Sequence, residues 1–123
     1  MMPTINEVIG RVDRMKPNAI EEKDKARWLL ELDGRTYAEL TCADAPEVLP
    51  PEKWPEDGDK ALLVAPPYDN MYDLYLTAML EFSMGEYSAY NNTAALFDTA
   101  QKEYRAKYRR EHIPKWSPVR NVF

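Results

Sequence analysis

The strongest pattern of apolar and polar positions lies between residues 66 and 113, where apolar side chains recur at steps of three and four. This spacing puts them on one face of a helix. The first predicted helix of this region buries Met71, Tyr72, Tyr75, Leu76, Met79 and Phe82. The second, from about residue 86 to 111, carries along one stripe Tyr87, Tyr90, Ala94, Phe97, Ala100 or Gln101, Tyr104 and Tyr108.

A glycine separates these two helices. Gly85 can adopt a positive φ without steric penalty, so it is a natural place for a helix to stop. A link of one or two residues between long helices implies an antiparallel helical hairpin. At the start of the hairpin, Asp69 or Asn70 can accept hydrogen bonds from the free N–H groups of the first turn.

Two more helices are predicted before the hairpin. Thr4 and Glu7 have the spacing of a capping box, which starts a helix over residues 5–15. Asn18 can cap a second helix that continues to about residue 41. Asp33-Gly34 could form a turn inside it, but helical spacing continues across the glycine. One long helix is therefore favoured, either straight or bent at Gly34.

Residues 43–67 have a different composition, with six prolines that exclude a regular helix. Within this insertion, residues 61–64 form a short apolar segment that we expect to be extended. An isolated strand has no ladder of its own, so Leu62 and Val64 are candidate partner contacts that would pair with a neighbouring chain.

Residues 114–123, which we call the C-terminal segment, follow a helical domain that spans residues 1–113. Two prolines keep the segment extended, and it is too apolar for an ordinary disordered terminus. Either it folds back on its own domain or it becomes ordered on another protein. Its candidate partner-binding residues are Lys115, Trp116, Val119, Arg120, Val122 and Phe123.

Size and composition fit one all-α domain, since 123 residues with 45% apolar content can bury one modest core. We expect no membrane span, because no apolar run reaches about 18 residues. We also expect no signal peptide. A single cysteine, Cys42, cannot form a disulfide within the chain and has no neighbouring metal ligands, which fits a reducing compartment.

Side chains suited to catalysis are scarce in this sequence. His112 is the only histidine, and it lies in a basic run that favours a solvated helix end over a general base. The four glycines are scattered, so none forms a phosphate-binding loop. We therefore expect no enzyme, no cofactor and no metal site.

Charge is distributed unevenly along the chain. Residues 1–101 carry 9 basic and 19 acidic side chains, which gives −10, whereas residues 102–123 carry 7 basic and 2 acidic ones, which gives +5. Basic residues are ordinary at a helix C-terminus, although a basic end could also meet an acidic partner or phosphate. Nucleic acid is not the expected partner, because Tyr104 and Tyr108 lie on the predicted apolar face and the domain as a whole is acidic.

Seven of the eight tyrosines lie in the hairpin region. A small core cannot bury so many while satisfying every hydroxyl group. Since tyrosine is favoured at interfaces, some of these rings should mediate subunit association.

Three stretches of the hairpin region form a recognisable pattern: Pro67-Tyr68-Asp69-Asn70-Met71-Tyr72-Asp73-Leu74-Tyr75-Leu76, Gly85-Glu86-Tyr87, and Tyr90-Asn91-Asn92-Thr93-Ala94-Ala95-Leu96-Phe97. These stretches resemble prophage proteins of Gram-positive bacteria, in particular the head–tail connector, or adaptor, proteins of long-tailed phages. Residues 5–9 and 29–33 are similar as well. The resemblance covers most of the chain and consists of degenerate helix patterns.

This resemblance implies a helical subunit that assembles as a homo-oligomeric ring on the portal at the capsid vertex. It implies that the C-terminal segment docks onto the portal, with tail proteins as further partners. The protein would then occur in the bacterial host cytoplasm during assembly, and in the virion if the phage is active. The alternative is a small helical regulatory or nucleic-acid-binding phage protein.

Overall fold

The computed structural model describes residues 2–41 and 56–111 of the chain. These residues are mostly helical, so the predicted all-α class is confirmed. The elements are α1 (Ile5–Met15), α2 (Glu22–Thr41), a 3-10 turn (Glu56–Asp59), α3 (Asn70–Ser83) and α4 (Tyr87–Glu111).

Helix α1 has the bounds and the cap that the sequence predicts. The Glu7 backbone N–H donates to Thr4 Oγ1 over 3.2 Å, which satisfies one free donor of the first turn. The Lys16 N–H donates to the Val12 carbonyl oxygen over 2.8 Å as the helix ends. The buried face consists of Ile5, Val8, Ile9 and Val12.

Helix α2 is one continuous helix, so Gly34 does not break it. It begins at Glu22, four residues after Asn18, and is therefore not capped by Asn18 as predicted. Asn18 instead holds the link between α1 and α2. Its side-chain oxygen accepts from the Ile20 N–H and from Lys25 Nζ, each over 3.1 Å.

Asp69 is the N-cap residue of α3, one of the two predicted positions, but the predicted capping hydrogen bond from its side chain is not formed. Its carboxylate lies 3.5 Å from Arg11 Nη2, and the same guanidinium binds Asp73 through hydrogen bonds of 2.8 and 3.1 Å. The Asp69 side chain therefore helps to join α1 to the first turn of α3 and does not accept hydrogen bonds from the free N–H groups of that turn.

Aromatic rings on α3, and one just before it, contact aromatic rings on α4. The ring pairs are Phe82 with Tyr90 at 5.3 Å, Tyr75 with Phe97 at 5.2 Å, and Tyr68 with Tyr104 at 6.0 Å between centroids. Aromatic pairs at such distances contribute beyond the area they bury. The pair of helices is therefore joined along most of its length.

Residues 61–64 pair with the N-terminal residues of their own chain. Thr4 and Ala61 form an antiparallel bridge, and the Leu62 N–H donates to the Pro3 carbonyl oxygen over 2.8 Å. The side chains of Leu62 and Val64 are 1% and 0% exposed. The prediction that these two residues contact a partner is therefore corrected, because their apolar surface is already covered by the core of their own domain.

The turn between α3 and α4 depends on Gly85, whose φ is +77°. Replacing Gly85 by alanine should lower the free energy of unfolding by about 1 kcal/mol, because a Cβ is disfavoured in this left-handed conformation. Gly10→Ala is the matched variant. It lies in α1, where an added Cβ would meet Arg14 Nη1 at an ordinary 3.6 Å. It should raise the unfolding free energy by up to about 1 kcal/mol. Urea denaturation of both variants tests this, and the same sign for both would contradict it.

Candidate interaction surface

The six candidate residues of the C-terminal segment, from Lys115 to Phe123, lie outside the described residues. Leu62 and Val64 lie in the core. Leu62 and Val64 are therefore not part of an exposed site. The described residues do contain an exposed apolar surface elsewhere.

This surface lies at the turn between α3 and α4, and we call Phe82, Met84, Tyr87 and Tyr90 the aromatic end. Phe82, Met84 and Tyr87 are 55%, 39% and 59% exposed. The Phe82 ring lies 5.6 Å from the ring of Tyr87 and 5.3 Å from that of Tyr90, both in edge-on arrangements. Exposed apolar residues are ordinary singly, but a contiguous group of them marks an interaction site.

The helical patterns placed Phe82 and Tyr87 on buried faces, and the structure corrects this. The buried row of α3 follows steps of four through Tyr72, Leu76 and Leu80, so its last turn buries Leu80 and leaves Phe82 exposed. The apolar residues of α3 fit a buried row that contains Phe82 as well as one that contains Leu80. Periodicity alone therefore could not decide which of the two residues is buried. The surplus of tyrosines was the useful signal, since Tyr87 is one that reaches the surface.

Acidic groups accompany the aromatic end. Lys16 Nζ lies 2.8 Å from Glu86 Oε1 and 3.8 Å from Glu81 Oε2. Hydrogen bonding to Glu86 raises the pKa of Lys16, so this amine stays charged. Glu81 is only 6% exposed, and its Oε1 has no hydrogen-bond partner among the described residues. Two carboxylates share one ammonium group, which leaves this group of three side chains with a net negative charge.

A second polar group lies inside the domain and serves the fold. The Tyr72 hydroxyl donates to Asp33 Oδ1 over 2.5 Å and accepts from the Val64 N–H over 2.8 Å. The Leu63 N–H donates to Asp33 Oδ2 over 2.8 Å. Burial raises the pKa of Asp33 despite its hydrogen bonds, and it also raises that of Tyr72. This network anchors the extended segment between α2 and α3.

The basic residues near the end of α4 are partly neutralised by acids. Lys102 Nζ lies 3.0 Å from Asp98, and Lys107 Nζ lies 3.2 Å from Glu111. Arg105 forms an ion pair with Glu39 of α2. Lys107 also lies over the rings of Tyr68 and Tyr104, at 5.5 and 5.9 Å from their centroids. These charges therefore serve contacts within the domain as well as its surface.

Metal-ligand groups and membrane-spanning helices are two further features of interest in residues 2–41 and 56–111. These residues contain no group of three or more histidine, cysteine, aspartate or glutamate side chains arranged to hold a metal ion. None of the helices in this part of the chain is long and apolar enough to cross a membrane.

Comparison with protein-family models, with curated proteins and with solved structures finds no match to this chain. A function is therefore proposed from the surface and the sequence of this chain. The described feature that most resembles a binding site is the aromatic end, because it combines exposed rings with buried negative charge beside them.

Proposed function

We propose that this chain is a structural, non-enzymatic subunit of a phage or prophage particle, a head–tail connector that acts through protein–protein contacts. Its partners are other copies of itself in a ring, the portal protein and tail proteins. The single observation that supports this best is the aromatic end, an exposed apolar surface carried by two packed helices. A rigid helical platform presents such a surface at little entropic cost.

The aromatic end is suited to binding protein. Tyrosine and phenylalanine rings with few rotatable bonds supply large contact areas, and aromatic residues dominate the energetics of many interfaces. Tyr87 and Phe82 are already held against each other by ring contact. A partner would therefore cover a preformed surface.

In this connector, α3 and α4 form the predicted antiparallel hairpin. Residues 43–67 are a proline-rich insertion, and residues 1–113 make up one domain. The C-terminal segment then serves as the part that docks onto the portal. The chain would act first in the host cytoplasm and later in the virion.

Binding to a portal ring tests this function. The full chain should sediment with purified portal protein encoded in the same genome, and removal of residues 114–123 should abolish that binding. The shortened chain retains every residue of α1, α2, α3 and α4, so the contacts among these helices are kept. Leu96→Ser, a change at a 59% exposed position of α4, should leave binding intact and serves as the control.

Two results would contradict the function: no binding of the full chain, or equal binding of the shortened chain. The rival is a nucleic-acid-binding protein, favoured by the exposed Arg109 and Arg110 in the last turn of α4. It requires affinity for DNA that falls steeply between two salt concentrations, because counterion release drives such binding. Titration of DNA at both concentrations separates the two candidates.

A further inference from the structure

We infer that the aromatic end binds the C-terminal segment of a second copy of this chain, so that subunits join head to tail. The inference rests on the proposed function, since it names the contact that would build the ring. Residues 114–123 of a neighbouring subunit cover the exposed rings.

Distance excludes Trp116 of the same subunit as a contact of the aromatic end. The aromatic end lies at the start of α4, whereas the C-terminal segment follows its end. Twenty-five residues of helix separate the two places, a length of about 36 Å at 1.5 Å per residue. Trp116 lies five residues beyond Glu111, so an extended chain could bring it back by only about 17 Å. A neighbouring copy has no such limit.

The two surfaces have complementary chemistry. The segment carries Trp116 and Phe123, which are suited to packing against Phe82 and Tyr87. It also carries the cations Lys115 and Arg120 and no acidic residue. The aromatic end is accompanied by Glu81 and Glu86 with Lys16 as their shared cation, and Glu81 retains an oxygen without a hydrogen-bond partner among the described residues.

The charge distribution of the whole chain favours the same arrangement. Residues 1–101 carry −10 and residues 102–123 carry +5, so the basic end of one subunit would meet a more acidic part of the next. A contact between two different surfaces of the same protein is heterologous. Such contacts close into rings when the rotation between subunits permits, as a connector requires.

Two full-length variants test the contact. The end variant carries Phe82→Ser and Tyr87→Ser, and the segment variant carries Trp116→Ser and Phe123→Ser. Both changes on the aromatic end are at exposed positions, and circular dichroism should show unchanged helix content. Sedimentation velocity over a range of concentrations then measures mass, with the 14.3 kDa single chain as reference.

The wild-type chain should associate with rising concentration, and each variant alone should remain a single chain. An equimolar mixture should form a 1:1 complex of twice the single-chain mass and nothing larger. The reason is that the end variant still supplies an intact segment, whereas the segment variant still supplies an intact aromatic end. Leu96→Ser should associate like the wild type.

The other outcomes overturn the inference. A wild-type chain that stays single at every concentration, or a mixture that forms no complex, excludes this contact. Association of the segment variant alone would show end-to-end pairing, and association of the end variant alone would show pairing between segments. Portal binding is measured separately on the end variant, which keeps residues 114–123 intact. The head-to-tail contact can therefore fail while the connector function holds, and the connector function can fail while the contact holds.

Discussion

Replacing Asp33 by alanine is expected to lower the free energy of unfolding by about 3 kcal/mol. The change removes the acceptor of two hydrogen bonds, one from the Tyr72 hydroxyl and one from the Leu63 N–H. A buried donor left without a partner costs about 1–3 kcal/mol. Tyr72 is fully buried, so water cannot replace the lost carboxylate at its hydroxyl.

Asp33→Asn is the matched variant, because it keeps the shape and one acceptor oxygen. It should cost about 1–2 kcal/mol, since the amide can satisfy one of the two donors and not both. Asp98→Ala serves as the surface control. Asp98 is 57% exposed and pairs with Lys102 one turn away, so its loss should cost less than about 0.5 kcal/mol. Equal losses for Asp33→Ala and Asp98→Ala would contradict the role of the network.

The pH dependence of stability gives an independent readout for Asp33. Burial raises the pKa of its carboxyl group above the ordinary value of 3.8, so the folded chain holds this proton more tightly than the unfolded chain does. The resulting stability is fully present below the unfolded pKa and is lost as pH rises through the folded pKa. The stability advantage of the wild type over Asp33→Asn should therefore shrink as pH rises from about 4 through that window.

Leu76→Ala should lower the free energy of unfolding by about 2–5 kcal/mol. Leu76 is 0% exposed and lies in the row of α3 that faces the core, so truncation removes buried methyl groups and leaves a cavity. Leu96→Ala is the same substitution on the neighbouring helix. Because Leu96 is 59% exposed, it should cost less than about 0.5 kcal/mol.

Guanidinium denaturation of both leucine variants measures this difference. The midpoints should separate clearly while the slopes stay equal, because both chains expose nearly the same surface when they unfold. Similar midpoints for the two variants would show that α3 does not bury the row assigned to it. The exposure of Phe82 in the aromatic end would then be contradicted, because it depends on which residues of α3 face the core.

Stability and the proposed function are therefore connected through α3. Its row of buried side chains fixes the helix against the rest of the domain, and the opposite side of its last turn then presents Phe82 to solvent. The Asp33 network acts at the other end of α3, where Tyr72 ties it to the extended segment. A rigid α3 keeps the rings of the aromatic end in place before any partner arrives, which favours binding.

The sequence by itself determined the helices. The Thr4 cap, the end of α1 before Pro17 and the turn at Gly85 follow from local chemistry, because each depends on residues within a few positions of one another. Helical spacing was enough to predict that α2 continues across Gly34. Local interactions decide all of these features, which is why the sequence predicts them correctly.

Tertiary structure alone decided which faces are covered. The Asp69 side chain pairs with Arg11 of α1 instead of accepting a capping hydrogen bond, and Leu62 and Val64 are covered by the core. Whether Phe82 or Leu80 is buried depends on how neighbouring helices pack on α3, and periodicity of apolar residues fits either choice. These outcomes depend on residues far apart in the sequence, so local patterns contain no information that would settle them. The exposed surface on which the proposed function rests belongs to this second kind.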